Sequence, residues 1–133
     1  MSIKVIKTEI EGLKIIEPHL YKDERGYYKK YYEKEIFKEN GLPYEFNESS
    51  EILSSKGVLR GLHFQTEMSQ GKLLHVLSGA IFDVALDLRI GSKTFGQWKA
   101  FYLDSNDLKN LYIPEGFAHG FMALDDNTLF TYQ

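Results

Sequence analysis

Five side chains, Arg60, His63, Lys72, His119 and Tyr132, are of the types that move protons at a carbon next to a carbonyl. A histidine titrates near neutrality and takes a proton from a carbon that a ketone has acidified. Lysine and arginine stabilise the enolate oxyanion that results. A tyrosine hydroxyl can return a proton from another direction. Together they suit proton abstraction and return with no cofactor. The segment Gly57–Gln65, GVLRGLHFQ, is the centre of this reading, with His63 as the base. Each residue also has a structural reading, because a single histidine on a strand is more often structural than catalytic.

Metal chemistry is the competing use of four histidines, His19, His63, His75 and His119. The phrase Pro114–His119, PEGFAH, fits one half of the metal motif of cupin barrels. The other half needs two histidines one residue apart and a downstream carboxylate. Here His63 is followed by Phe64 and Gln65, so the second ligand is missing. A catalytic metal takes at least three good ligands at tight geometry. The sequence offers His63, His75 and His119 at most. No metal and no other cofactor is expected.

The hydrophobic period along the chain is mostly two. In Ala80–Arg89, residues Ala80, Phe82, Val84, Leu86 and Leu88 share one face, and Ile81, Asp83, Ala85, Asp87 and Arg89 share the other. That alternation predicts a strand with one wet or polar-lined face. Asp87 is expected to face water, while Asp83 either faces water or lines the interior. Lys72–Leu77 reads as the preceding strand, with Ser78-Gly79 as the turn. Further strands are expected at Trp98–Leu103, Leu111–Ile113, His119–Leu124 and Thr128–Tyr132. One helix is expected over Tyr32–Asn40, with Gly41 and Pro43 as its stop and Ile36 and Phe37 on its buried side. Many short strands with turn residues about every ten positions predict an antiparallel barrel or jelly roll, which carries small-ligand sites in its mouth.

The bulk properties bound the rest. A chain of 133 residues with 43% hydrophobic and 26% charged residues suits one soluble domain. A net charge of -3 argues against a nucleic-acid surface. With no cysteine, disulfides and thiolate nucleophiles are excluded. Lys4, Glu9, Glu11 and Lys14 interrupt the first residues, so no signal peptide is read there. No run approaches the roughly 18 apolar residues of a membrane helix. A cytoplasmic location is expected.

Six phrases carry a specific resemblance. They are DERGYY (23–28), SSKGVLRGLHFQ (54–65), QGKLLHV (70–76), IFDVALDLR (81–89), TFGQW (94–98) and IPEGFAHGF (113–121). In this order and spacing the chain resembles the dTDP-4-dehydrorhamnose 3,5-epimerase family. The resemblance implies a cupin-type jelly roll without metal, a homodimer, and a nucleotide-linked 4-keto-6-deoxy sugar as substrate. It implies His63 as base, Lys72 as the cation that stabilises the enolate, and Tyr132 of the Phe130-Thr131-Tyr132 phrase as acid. It implies substrate binding by Arg60 and His119, and contact between Arg25 and the substrate phosphates in a site shared across the dimer. The sequence departs from the family pattern at Lys30, where Glu is usual. It departs again at Glu48 and Ser50, where a Gln-x-Asn pair binds the nucleotide side.

These departures open variant readings: epimerisation at C3 or C5 alone, or a GDP- or CDP-linked 4-keto hexose or heptose. Residues 1–133 are expected to form one domain that lacks the family's C-terminal strands, including the aspartate that orients the base. Asp83 is the substitute carboxylate that this reading nominates, and it is counted with the substrate-binding set. A catalytically inactive sugar-nucleotide-binding module and a metal-dependent cupin are the readings from other classes.

Overall fold

Apolar residues at alternate positions give strands whose two faces meet different surroundings. The computed structural model describes residues 3–64, 71–106 and 109–133. In chain order its elements are β1 (Lys4–Lys7), β2 (Lys14–Glu17), β3 (His19–Asp23), β4 (Gly26–Lys30), α1 (Lys34–Glu39), β5 (Ser50–Ser54) and β6 (Leu59–His63). They continue with β7 (Lys72–Ser78), β8 (Ala80–Asp87), β9 (Trp98–Asp104), β10 (Asn110–Ile113), β11 (Phe117–Ala123) and β12 (Thr128–Tyr132). One sheet has the order β1-β2-β10-β7-β12-β5 and a second has β6-β11-β8-β9. Their neighbouring strands pair antiparallel. The fold is a mainly β, cupin-type jelly roll with one short helix.

The strands expected between Lys72 and Tyr132 are present, within two residues at each end. Those between Lys4 and Ser54 carried no clear signal, because they are short and broken by charge. Pairing, not local pattern, makes them strands.

The core lies between the two sheets. Leu74 and Val76 of β7, Leu111 and Ile113 of β10 and Phe130 of β12 meet Ile81, Phe101, Phe117 and Phe121 from the smaller sheet. Each such side chain, once buried, contributes about 1.5–3 kcal/mol. Leu73, one step out of phase on β7, points to the opposite face. There it joins Ile16, Tyr112, Phe37 and Leu42 under the helix. α1 is shorter than the expected Tyr32–Asn40. Its N-cap, Glu33, makes no side-chain capping bond. The Tyr32 ring instead packs edge-on against Phe37 and Phe46.

The faces of β8 are the reverse of a simple inside-apolar rule. Ile81, Asp83, Ala85 and Asp87 are buried, while Phe82 is exposed and Val84 and Leu86 are half-buried. Asp87 does not face water as expected; none of its surface is exposed. Its carboxylate accepts hydrogen bonds from Arg89 Nε and Nη2, Ser92 Oγ and Thr94 Oγ1, and these hold it well below the usual carboxylate range against the cost of burial. The outer face of the smaller sheet carries exposed Leu59, Phe82, Trp98, Tyr102 and Met122. β3 and β4 pair only with each other among the described residues, as an arm bearing exposed Tyr21, Tyr27 and Tyr28.

Candidate active site

β6 and β11 form one wall of a cavity of about 180 Å³ that opens between the two sheets. Opposite residues on antiparallel strands share a face. His63 lies across from His119, and Arg60 across from Phe121. Three steps along β6 therefore match two along β11, so β6 bulges by one residue. In a regular strand, residues three apart point to opposite faces. The bulge turns both Arg60 and His63 into the cavity, where Phe121 and His119 also point.

The other wall comes from the larger sheet. Lys72 begins β7, Tyr132 ends β12, and Ile52 and Phe130 supply apolar surface. Lys72 Nζ lies 5.6 Å from the centre of the Tyr132 ring, a distance for cation–π attraction. All five residues singled out for proton transfer thus line one cavity. Arg60 is steadied by Ser54, whose Oγ accepts from Nε at 3.4 Å. Ser54, Ile52, Phe121 and Phe130 were not foreseen from the sequence. The period-two set Ser50, Ile52, Ser54 was the signal available, since it puts all three on the face that Tyr132 shares.

Charge is uneven in this space. Burial holds the Lys72 ammonium below the usual lysine range, and the charge of Asp83 partly opposes that. Burial pushes the Asp83 carboxyl up, and its hydrogen bond with His119 and the charge of Lys72 pull the other way. Asp83 does not orient His63. Its Oδ2 lies 2.5 Å from Nε2 of His119, and its side chain is fully buried, behind the cavity wall. Among the described residues no carboxylate pairs with His63.

Other nominated residues lie elsewhere. Arg25 sits at the tip of the β3–β4 arm in a two-pronged bond to Asp23, with Nη2 to Oδ2 at 2.6 Å. It lines a separate hollow with Tyr21 and Tyr28. Lys30 pairs with Glu33 at 3.0 Å. Glu48 borders a third hollow with Phe46 and Gln133, while Ser50 lies across from Tyr132. His75 is on the face of β7 opposite to Lys72, packed against Tyr31 with ring centres 4.2 Å apart and the rings tilted by 39°. His63, His75 and His119 therefore do not converge on one point. Gln65, read as occupying the second cupin ligand position, lies outside the described residues.

The comparisons with known proteins agree with one another. The family model described as dTDP-4-dehydrorhamnose 3,5-epimerase matches residues 7–133. A protein of that name from Methanothermobacter thermautotrophicus is 50% identical over 132 residues, spanning 99% of this chain and 71% of its own length. The crystal structure of a dTDP-6-deoxy-D-glucose-3,5-epimerase from Legionella pneumophila, in complex with dTDP-4-keto-L-rhamnose, is 45% identical with a TM-score of 0.92. That match covers 98% of this chain and 70% of the other. A dTDP-4-dehydrorhamnose 3,5-epimerase from Bacillus anthracis, with TDP and PPi bound, is 38% identical with a TM-score of 0.93, covering 98% of this chain and 76% of its own.

Proposed function

This chain belongs to the dTDP-4-dehydrorhamnose 3,5-epimerase family, and from that premise we propose that it inverts C3 and C5 of a dTDP-linked 4-keto-6-deoxy sugar. The observation that carries the proposal is the meeting of a histidine, a lysine, a tyrosine and an arginine in one cavity. The C4 ketone acidifies the protons at C3 and C5. His63 removes one of them, and negative charge gathers on the ketone oxygen. Lys72 and Arg60 stabilise that enolate, electrostatic help of the kind that is often the largest catalytic contribution. Tyr132, on the facing wall, returns a proton to the other side of the ring, which inverts the carbon. A second round inverts the second carbon. His119 holds the sugar. Every step is proton transfer, so the chemistry calls for no cofactor.

The nucleotide falls to Glu48, Ser50 and Arg25. The Legionella pneumophila relative is solved with dTDP-4-keto-L-rhamnose and the Bacillus anthracis relative with TDP and PPi, which supports a thymidine nucleotide over GDP or CDP. Arg25 is apart from the cavity of its own chain, and a second copy would bring the β3–β4 arm to it. The exposed apolar face of the smaller sheet supports the same homodimer, since faces of this kind mark interaction sites. Residues 1–133 act as one epimerase-like domain. No helix among the described residues is long and apolar enough to cross a membrane, and nucleotide-sugar chemistry suits the cytoplasm.

The test is exchange in deuterated water with dTDP-4-keto-6-deoxyglucose, read by mass. Two deuteriums per sugar are expected, and the His63→Ala variant should lose exchange at both carbons. A single deuterium would make the protein a mono-epimerase. No exchange at all would leave a binding module.

A further inference from the structure

Two carboxylates on the inner face of β8, Asp83 and Asp87, have no exposed surface. Asp87 is accounted for, because both its oxygens accept hydrogen bonds that tie down the chain from Arg89 to Thr94. Asp83 is different. Its Oδ2 meets Nε2 of His119 at 2.5 Å, while its Oδ1 is buried with no hydrogen-bond partner among the described residues. A buried carboxylate with half its accepting capacity unused costs stability. An apolar residue at position 83 would pack against Phe121, its cross-strand neighbour, at no such cost. Something other than folding has to account for a carboxylate here. It cannot be contact with the sugar, since Asp83 is sealed behind the wall that His119 and Phe121 build.

We infer that Asp83 is a positioning residue: by holding Nε2 of His119 it fixes the rotation and tautomer of that ring, so that Nδ1 is the nitrogen offered to the sugar. A histidine's free nitrogen is defined by the bond the other nitrogen makes, and an orienting carboxylate is the usual device for this. The inference rests on the epimerase reading above. The other charged and titratable groups facing His119 across the cavity are Arg60 and His63 from β6, Lys72 from β7 and Tyr132 from β12. None of them is hydrogen-bonded to the ring among the described residues; Phe121 only stacks on it, with ring centres 6.3 Å apart, so the directional contact to a ring nitrogen there comes from Asp83.

The experiment combines imidazole 15N spectra with a double-mutant cycle. In the unaltered protein, the neutral His119 ring is expected to hold its proton on Nε2, the nitrogen that faces Asp83. Observing the tautomer protonated on Nδ1 alone would overturn the inference. This readout needs neither activity nor a variant, so it stands even if the substrate reading fails. Asp83→Asn is expected to lower kcat/KM by about 10- to 100-fold, the scale of a misplaced catalytic contact. It should do so without lowering Tm, and with the His119 signals moving to a mixture of tautomers. Combined with His119→Asn it should add less than a further twofold loss. A kcat/KM within twofold of the parent, or losses that multiply in the double variant, would show that Asp83 does not act through His119.

Discussion

Gly61 and Gly120 pack backbone against backbone. A Cβ placed on Gly61 would stand 2.6 Å from Gly120 Cα and 2.7 Å from the His119 carbonyl oxygen. Gly61 also has a φ of +106°, in the region that side chains avoid. This contact sits inside the β6 bulge, between Arg60 and His63. The glycine therefore decides whether those two side chains reach the same cavity.

Gly61→Ala should accordingly lose both stability and activity. Overpacking and left-handed strain together are expected to cost about 2–5 kcal/mol. Gly57→Ala is the control, because Gly57 has a φ of +87° but open space around it. It should cost only the strain, about 1–2 kcal/mol. Thermal melts and turnover of both variants check this, and equal losses would sink the steric account.

Lys72→Met should lower kcat by about 10²–10³-fold, the usual loss for one oxyanion donor, with a smaller change in KM. The ammonium is the useful form, and burial lowers its pKa. Activity is therefore present below that lowered pKa and is lost as pH rises through it. The alkaline limb of the kcat profile should fall at a pH below the ordinary lysine range. Tyr132 lines the same cavity, so the Tyr132→Phe profile is the comparison. A limb that survives Lys72→Met unchanged would assign it to another group.

His75 makes stability depend on acid. Its ring is buried against Tyr31, and desolvation, helped by the charge of Lys29, lowers its pKa from 6.5 to about 4. The unfolded chain takes up this proton near pH 6.5 and the folded chain only near pH 4. The unfolded state is therefore favoured increasingly as pH falls across that window. The loss by pH 4 is on the order of 3 kcal/mol. His75→Phe keeps a ring on Tyr31 and removes the proton site. Its stability should decline less than the parent's over the same window in denaturant titrations.

Asp87→Asn should destabilise by on the order of 3 kcal/mol, because it leaves the Arg89 guanidinium without its buried counter-charge. Arg89 Nη2 also donates to the Glu11 carbonyl at 2.6 Å, so the β1–β2 turn should loosen together with the loop after β8. Hydrogen exchange at both places measures this, and protection lost at only one would contradict the link.

Much of this protein was readable before any tertiary contact was known. The phrases around Arg60, His63, Lys72, His119 and Tyr132 carried the family and named five residues that line one cavity, because side-chain chemistry and the short motifs that hold it are local. The alternation in β7 through β12 carried the fold class, because a strand buried on one side writes its period into its own residues. What the sequence could not decide was direction in space. It did not show that Arg60 and His63, three apart, share a face, since that depends on a bulge created by pairing with β11. Nor did it show that Asp83 serves His119 rather than His63, that Asp87 is sealed inside, or that His75 turns away from the cavity. Those outcomes depend on which strand lies alongside which and on what covers each face. Such contacts join residues far apart in the chain, and no local pattern encodes them.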